Sequence, residues 1–307
     1  MQLRQLIKSG EEALSRLYSD REAHEIVLLL LETLIGTKRY THVSEPDYLV
    51  DDDSASKVFS AFERLANGEP VQYVLGQAWF FGRCFKVSGD VLIPRPETEI
   101  LCDMCIGKMN ERGLGRGARV IDLCTGSGCI AWTVALEKPG AKVWAGDIST
   151  GALELASSQD FSEELNKKGA SSPVFFATDI LKDDIFRDIT EDSGRQELVS
   201  CAAIPTFDVV LSNPPYVKDS EKAQMRKNVL DFEPSLALFV PDSDPLRFYK
   251  ALARHSSALL SPSGFGIVEI NEALGVQTAS LFSDAGFLQV EVVKDFSGRD
   301  RFVYFSR

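Results

Sequence analysis

Apolar side chains in the first 68 residues recur at spacings of three, four and seven, which places them on one face of a helix. Three such stretches are present, at Leu3, Leu6, Ile7, Leu14 and Leu17, at Ala23, Ile26, Val27, Leu30, Leu31 and Leu34, and at Val58, Phe59, Phe62, Leu65 and Ala66. We expect Ser54 or Ser56 to cap the third helix and Gly68 to end it, with the acidic run 51–53 as a solvated turn. The pattern predicts a helical domain at residues 1–70.

The pattern changes at residue 71 to aromatic and β-branched residues broken by glycines, which predicts a β-hairpin connector at residues 71–93. The run I-P-R-P-E-T-E follows at residues 93–99. Its two prolines fix the backbone, and we expect them to exclude both helix and sheet as far as Thr98. A simple linker would not require a backbone that is fixed to this degree.

Strand patterns alternate with helical segments from residue 117 onward, which is typical of a parallel α/β sheet within a domain at residues 94–307. The predicted strands are at residues 119–123, 142–147, 174–179, 208–212, 266–270, 288–294 and 301–305. Residues 295–300 are too few for a crossover helix, so the last two strands should be antiparallel. The polar, aperiodic residues 183–206 are interpreted as a mobile surface insertion without a motif.

Composition and charge narrow the classes of function. The chain has 307 residues, a length that favours two domains, and 45 acidic against 33 basic side chains give a net charge of −12. The acidic excess argues against general attraction to nucleic acid phosphates, although a local basic patch remains compatible with it. The longest aliphatic run of the first domain, residues 26–31, is too short for a membrane span.

The six cysteines are too sparse for a disulfide scaffold. Cys102 and Cys105 form a single C-x-x-C without a second pair, and we interpret them as buried free thiols, with no metal site. We expect a monomer in the reducing cytoplasm, with no membrane or nucleic acid partner.

The first motif that carries chemistry is D-L-C-T-G-S-G at residues 122–128, between a predicted strand and a predicted helix. Gly126 and Gly128 let the backbone approach a ligand closely, and the helix start offers free N–H groups. Asp147 ends the next strand and should face the same crevice, where an acidic group suits ribose hydroxyls. The combination predicts a site for a nucleoside cofactor.

The loop lacks the G-x-G-x-x-G spacing of a dinucleotide site. It resembles motif I of the S-adenosylmethionine-dependent methyltransferases, and the closing antiparallel hairpin is similar to their seventh strand. The implied fold class is α/β: a seven-stranded S-adenosylmethionine-dependent methyltransferase (Rossmann-like) sheet, with a small N-terminal helical bundle domain and a β-hairpin connector.

The second motif, Asn213-Pro214-Pro215-Tyr216, follows the fourth predicted strand of this sheet. The Pro-Pro unit fixes two carbonyls and Asn213 adds a side-chain oxygen, so together they can accept both N–H bonds of a planar amide or amino group. Tyr216 can cover the flat substrate. Because the leaving group is a neutral thioether, positioning and electrostatics suffice without a strong general base. The structural alternative is a turn that ends a strand.

N-P-P-Y resembles the signature of amino-group methyltransferases that act on nucleic acid bases or on glutamine amides. The chain is similar over nearly its whole length to the HemK/PrmC family, which methylates the glutamine of the Gly-Gly-Gln tip of peptide chain release factors. The resemblance rests on runs at residues 68–76, 91–99, 231–239, 268–270 and 294–301, of which R-P-E-T-E is the most specific.

The resemblance implies a catalytic and substrate site at Asn213, Pro214, Pro215 and Tyr216, and S-adenosylmethionine held by Cys124, Thr125, Gly126, Ser127, Gly128, Asp147, Asp179, Ile180, Asn213 and Thr98. Asp147 would bind the ribose, Asp179 and Ile180 would flank the adenine, and Thr98 would close over the methionine end. The sequence departs from the family at Cys124 and Asn271, where the family usually has glycine. We expect Cys124 to be tolerable if its φ is negative, and to line the pocket through its backbone.

Three alternatives remain open at this point. A sister enzyme that methylates a ribosomal protein glutamine shares the loop and N-P-P-Y, but usually differs where R-P-E-T-E stands. A nucleic acid adenine methyltransferase should carry a basic recognition domain, and the helical domain here is acidic. A binding module without turnover would have lost Asn213 or the cofactor loop, and both are intact. For a release factor substrate, docking is expected on the helical domain and the connector.

Overall fold

The computed structural model describes residues 1–191 and 206–307 and divides into two compact units. One unit comprises Met1–Gln77 and Met225–Phe232, and the other comprises Ala78–Gln224 and Glu233–Arg307. Most of the predicted insertion, residues 192–205, lies outside the described residues.

The helices are α1 Leu3–Leu14, α2 Asp20–Ile35, α3 Thr41–Ser44, α4 Asp52–Ala66, α5 Val71–Leu75, α6 Pro96–Glu111, α7 Cys129–Glu137, α8 Thr150–Ser157, α9 Ser162–Lys168, α10 Phe186–Glu191, α11 Lys227–Phe232, α12 Ser235–Leu238, α13 Arg247–Leu259 and α14 Gly275–Asp284. The strands are β1 Gln77–Phe80, β2 Arg83–Lys86, β3 Arg119–Leu123, β4 Lys142–Asp147, β5 Val174–Ala177, β6 Phe207–Ser212, β7 Val217–Lys218, β8 Phe239–Val240, β9 Leu260–Glu269, β10 Gln289–Lys294 and β11 Asp300–Ser306. Short 3₁₀ helices cover Asp219–Gln224 and Glu272–Leu274.

The helical unit packs the predicted apolar faces of α1, α2 and α4 into one core, and its central leucines and valines are fully buried. The predicted cap of α4 was wrong. Asp51 caps the helix instead, because its carboxylate accepts from the Ser54 backbone N–H at 2.8 Å. The acidic run is therefore the start of the helix rather than a turn, which suits the positive end of the helix dipole.

The connector differs from the prediction at its start, since residues Val71–Leu75 form helix α5. The hairpin itself consists only of β1 and β2. Its two-residue turn, Phe81-Gly82, has φ of 49° and 72°. Positive φ at both central positions gives the twist that favours tight hairpins. Helix α6 begins at Pro96, two residues earlier than expected, because proline fits the first helical position, where no intrahelical N–H bond is needed.

The second unit contains the predicted seven-stranded sheet, in the order β10-β11-β9-β6-β3-β4-β5. Strands β5, β4, β3, β6 and β9 are parallel neighbours, and β11 pairs antiparallel with both β9 and β10. The antiparallel closing pair is therefore confirmed. Two hydrophobic clusters fill the core on the two sides of the sheet, with α7 almost entirely buried.

One further prediction concerns the segment before β6. The segment at residues 183–206 was expected to lack periodic structure, but α10 begins within it, and Ile185 and Ile189 are buried in the core of the sheet unit. Two apolar side chains four residues apart are enough to pack one turn of helix, which the polar composition concealed. None of the described helices has the length and apolar character needed to cross a membrane.

Candidate functional site

A cavity of about 190 Å³ lies at the carboxyl ends of the parallel strands, where open α/β sheets bind ligands. Ten of the residues predicted for the site line it: Thr98, Cys124, Thr125, Gly126, Ser127, Asp147, Asp179, Ile180, Asn213 and Pro215. The remaining three, Gly128, Pro214 and Tyr216, do not. Sequence reasoning missed the apolar part of the lining, which includes Ile130, Ile148, Leu181, Leu236, Ala237 and Phe248.

The loop between β3 and α7 has an unusual backbone. Cys124, Gly126 and Gly128 have φ of 63°, 53° and 78°. The expectation of a negative φ at Cys124 was therefore wrong, and this residue keeps the left-handed conformation that favours glycine. Thr125 fastens the loop, since its Oγ1 donates to Asp122 Oδ2 at 2.6 Å. The protein thus has a side chain at position 124, where the backbone conformation favours glycine.

Gly128 is the N-cap of α7 and does not line the cavity. A Cβ at this position would lie 3.1 Å from the Ala156 Cβ and 3.1 Å from Trp132 Cδ1. The close approach of α7 to its neighbours, together with φ of 78°, accounts for the glycine.

Asp147 ends β4 and is hydrogen-bonded to the loop between β3 and α7, residues 124–128. Its Oδ2 accepts from the Gly126 N–H at 2.9 Å, and its Oδ1 accepts from the Ser149 N–H at 3.0 Å. Burial raises the pKa of this carboxyl, while the backbone hydrogen bonds oppose the rise. Each carboxylate oxygen can accept a second hydrogen bond, so both remain able to bind a hydroxyl in the cavity.

Asp122 is fully buried beneath the loop. Burial raises its pKa to about 7, and the nearby charge of Asp147 acts in the same direction, while the bond from Thr125 opposes the rise. A carboxyl whose pKa lies near neutrality beside a cavity often belongs to a functional site. Asp122 instead holds the loop between β3 and α7, by accepting the hydrogen bond from Thr125.

Four polar side chains meet directly after β6: Asn213 and Tyr216 from the turn that follows this strand, Thr98 from α6 and Glu269 from β9. Asn213 Nδ2 donates to Thr98 Oγ1 at 3.1 Å, and Thr98 Oγ1 donates to Glu269 Oε2 at 2.8 Å. The Tyr216 hydroxyl donates to the other oxygen, Glu269 Oε1, at 2.9 Å. Burial raises the pKa of Glu269, and burial together with this carboxylate raises the pKa of Tyr216.

Glu233 and Asn271 are also structural partners of the site. Glu233 is buried, and its carboxylate accepts from Arg95 Nη2 at 2.5 Å and from the Ile93 N–H at 3.3 Å, which holds the proline-stiffened segment. Asn271 has φ of −65°, so glycine is not required there, and its Nδ2 donates to the Tyr216 carbonyl at 3.1 Å. Sequence reasoning assigned neither these roles nor that of Glu269. Glu233 and Glu269 nevertheless lie in the runs D-F-E-P-S and V-E-I, which had marked the resemblance.

Comparison with known proteins shows the family of the chain. The family model described as the PrmC N-terminal domain matches residues 5–76. The release factor glutamine methyltransferase of Flavobacterium psychrophilum is 34% identical, covering 95% of this chain and 94% of its own. The chain belongs to the release factor glutamine methyltransferase family. The Bacteroides thetaiotaomicron relative of the same name is 35% identical and covers 96% of this chain and 97% of its own.

A solved methyltransferase structure from Pyrococcus furiosus is similar with a TM-score of 0.43 at 15% identity, covering 83% of this chain and 98% of its own. As a member of the release factor glutamine methyltransferase family, the chain is an enzyme that uses S-adenosylmethionine. The cavity fits this cofactor, because it combines the acidic Asp147 and the open backbone of the cofactor loop with apolar walls for a flat base. Within residues 1–191 and 206–307, no group of three or more His, Cys, Asp and Glu side chains could hold a metal ion.

Proposed function

We propose that this enzyme methylates the side-chain amide nitrogen of the glutamine in the Gly-Gly-Gln motif of peptide chain release factors. The observation that carries the proposal is the position of Asn213-Pro214-Pro215-Tyr216, directly after β6, with Asn213 and Pro215 on the wall of the cavity. Family membership supports the substrate class, since the relatives are named for release factor glutamine methylation.

In this proposal the residues after β6 hold the amide and prepare its nitrogen. Asn213 Oδ1 and the Pro214 carbonyl accept the two N–H bonds, which withdraws the nitrogen lone pair from resonance and aims it at the methyl group. Tyr216, whose hydroxyl is held by Glu269, keeps this turn in place and limits access of water. Acceptors that are fixed in a partly buried site stabilise the reacting amide more strongly than water does. Positioning and electrostatics therefore account for methyl transfer without a strong general base.

The cofactor residues are assigned in the same proposal. Asp147 would hold the ribose, residues 124–128 the methionine end, and Asp179 with Ile180 the adenine, while Thr98 would lie at the methyl-bearing end. When bound, S-adenosylmethionine supplies an electrophilic methyl group on a positively charged sulfur. All of these assigned residues except Gly128 line the cavity.

Domain roles and cellular location complete the proposal. A release factor extends well beyond its glutamine, so docking is assigned to the helical residues 1–70 and the connector at 71–93, and chemistry to residues 94–307. A cytoplasmic location suits an enzyme of translation. It also suits Cys102, Cys105, Cys124 and Cys129, which are free thiols, because thiols stay reduced in that compartment.

The test is mass spectrometry of a purified release factor after incubation with the enzyme and S-adenosylmethionine. We expect the mass of one added methyl group on the glutamine of the Gly-Gly-Gln peptide, and none with Asn213→Ala. A ribosomal protein preparation serves as the rival substrate. Methylation of a ribosomal protein glutamine, with the release factor unchanged, would reject the proposal in favour of the sister activity.

A further inference from the structure

Three elements far apart in sequence bring Asn213, Thr98 and Glu269 into one hydrogen-bonded chain. Asn213 follows β6, Glu269 ends the neighbouring strand β9, and Thr98 lies in the first turn of α6. Thr98 is 2% exposed and Glu269 is 1% exposed. Thr98 and Glu269 are therefore shielded from water and must satisfy their hydrogen bonds within the protein, whereas Asn213 is half-buried and lines the cavity.

The direction of each bond follows from the chemistry of the groups. An ionised carboxylate only accepts, so the single hydroxyl proton of Thr98 is committed to Glu269. The Thr98 oxygen can then only accept, and Asn213 must turn its NH₂ group toward it. The Oδ1 of Asn213 consequently faces the other way, and no described residue hydrogen-bonds with it.

We infer that Glu269 and Thr98 are positioning residues that fix which end of the Asn213 amide faces the substrate. This inference rests on the proposed function, in which Asn213 Oδ1 accepts an N–H bond from the substrate amide. With the amide rotated by half a turn, its NH₂ group would meet the substrate NH₂ group, and two donors cannot bond to each other. A carboxylate that never touches the substrate thus selects the productive orientation.

Opposing influences act on the charge of Glu269. Burial, with a smaller contribution from Glu97, raises the pKa of its carboxyl, while the hydrogen bonds from Thr98 and Tyr216 and the charge of Arg301 oppose the rise and favour the carboxylate. The Arg301 side chain is 14% exposed and forms an ion pair with Asp295 at 3.2 Å, which holds the charge of Arg301 near Glu269.

The first test compares isosteric variants on a release factor substrate. Glu269→Gln and Thr98→Val should each lower kcat by about tenfold or more, since the amide loses its fixed orientation. The S-adenosylmethionine affinity of Glu269→Gln, measured by calorimetry, should stay within about threefold, and the thermal midpoint shows whether each variant folds. Thr98→Ser keeps the hydroxyl and should recover most of the rate that Thr98→Val loses.

A double variant gives the decisive measurement, because a merely structural role does not predict its outcome. Asn213→Asp alone places an acceptor opposite Thr98, whose proton is already committed, so it should be slow. In Glu269→Gln/Asn213→Asp the new amide at 269 donates to Thr98, which is then free to donate to the new carboxylate at 213. One carboxylate oxygen remains as an acceptor for the substrate, and we expect this variant to be about tenfold faster than either single variant.

The double variant also restores the net buried charge, so a third substitution separates the two explanations. Adding Thr98→Val should remove the recovery if the hydroxyl transmits the orientation. The inference is overturned if the double variant is no faster than the single variants, or if recovery persists without the hydroxyl. A wild-type enzyme that leaves every release factor unmodified would instead reject the proposed function.

Discussion

The left-handed backbone conformation of Cys124 allows a stability prediction that isolates the effect of backbone strain. An L residue in this conformation costs about 1–2 kcal/mol relative to glycine. The thiol partly offsets this cost, because Cys124 packs against the core cluster of the sheet unit. A direct Cys124→Gly substitution would mix the two effects, so the comparison should be between Cys124→Gly and Cys124→Ala, which both lack the sulfur.

The expected difference follows from two opposing terms. Glycine removes the strain of about 1–2 kcal/mol, but its greater freedom in the unfolded chain lowers stability by about 0.4–1 kcal/mol. Cys124→Gly should therefore be more stable than Cys124→Ala by about 0.8 kcal/mol, within a range of about 0 to 1.6 kcal/mol. Thermal unfolding of the whole chain measures the difference, which corresponds to a few degrees in the midpoint of the sheet unit.

Gly126 offers the matched control in the same loop. Its φ is 53°, and a Cβ added there would meet no atom within 4 Å. Gly126→Ala should therefore lose stability through backbone strain, partly offset by the smaller freedom of alanine in the unfolded chain, by about the same amount as Cys124→Gly gains over Cys124→Ala. A Cys124→Ala variant as stable as Cys124→Gly, beside a destabilised Gly126→Ala, would refute the strain argument for Cys124.

Three other predictions concern the site and its charges. Asn213→Ala should abolish methyl transfer while S-adenosylmethionine affinity stays within about tenfold by calorimetry, and full activity would contradict the amide-binding role. Asp147→Ala should weaken cofactor binding by roughly 1–3 kcal/mol, the scale of a hydrogen bond to a charged group; unchanged affinity would contradict the ribose assignment. Asp122 has a folded-state pKa of about 7, above the ordinary value of 3.8, so its contribution to stability is fully present at low pH and is lost as the pH rises from about 4 to about 7. Asp122→Asn removes this titration, and parallel pH profiles of unfolding for the two proteins would refute the buried titration.

Much of the fold was predictable because its signals are local. Hydrophobic runs bounded by glycine and polar residues gave β3 and β4 with the bounds that the structure has, and the short link before β11 indicated an antiparallel pair. The errors occurred where a local pattern has two meanings. An acidic run can be a solvated turn or the start of a helix, and only the structure shows that Asp51 caps α4.

The backbone conformation of a single residue also could not be predicted from the sequence. Cys124 was expected to adopt a negative φ, since a side chain disfavours the left-handed region. The loop imposes positive φ there because Thr125 is fastened to Asp122 and its N–H donates to the Gly146 carbonyl at 3.1 Å. These contacts join residues on two strands, and together they outweigh the preference of one residue.

The sequence by itself determined which motifs end which strands, because the residues of each motif are neighbours in the chain. Only the tertiary structure showed that Glu269 lies beside Thr98, from which 171 positions separate it, and that Glu233 holds Arg95 across 138 positions. The physical reason is the strand order, which sets β9 beside β6 and brings their carboxyl ends to the same edge of the sheet. Hydrogen bonds between such distant residues depend on packing, and packing is a property of the whole fold.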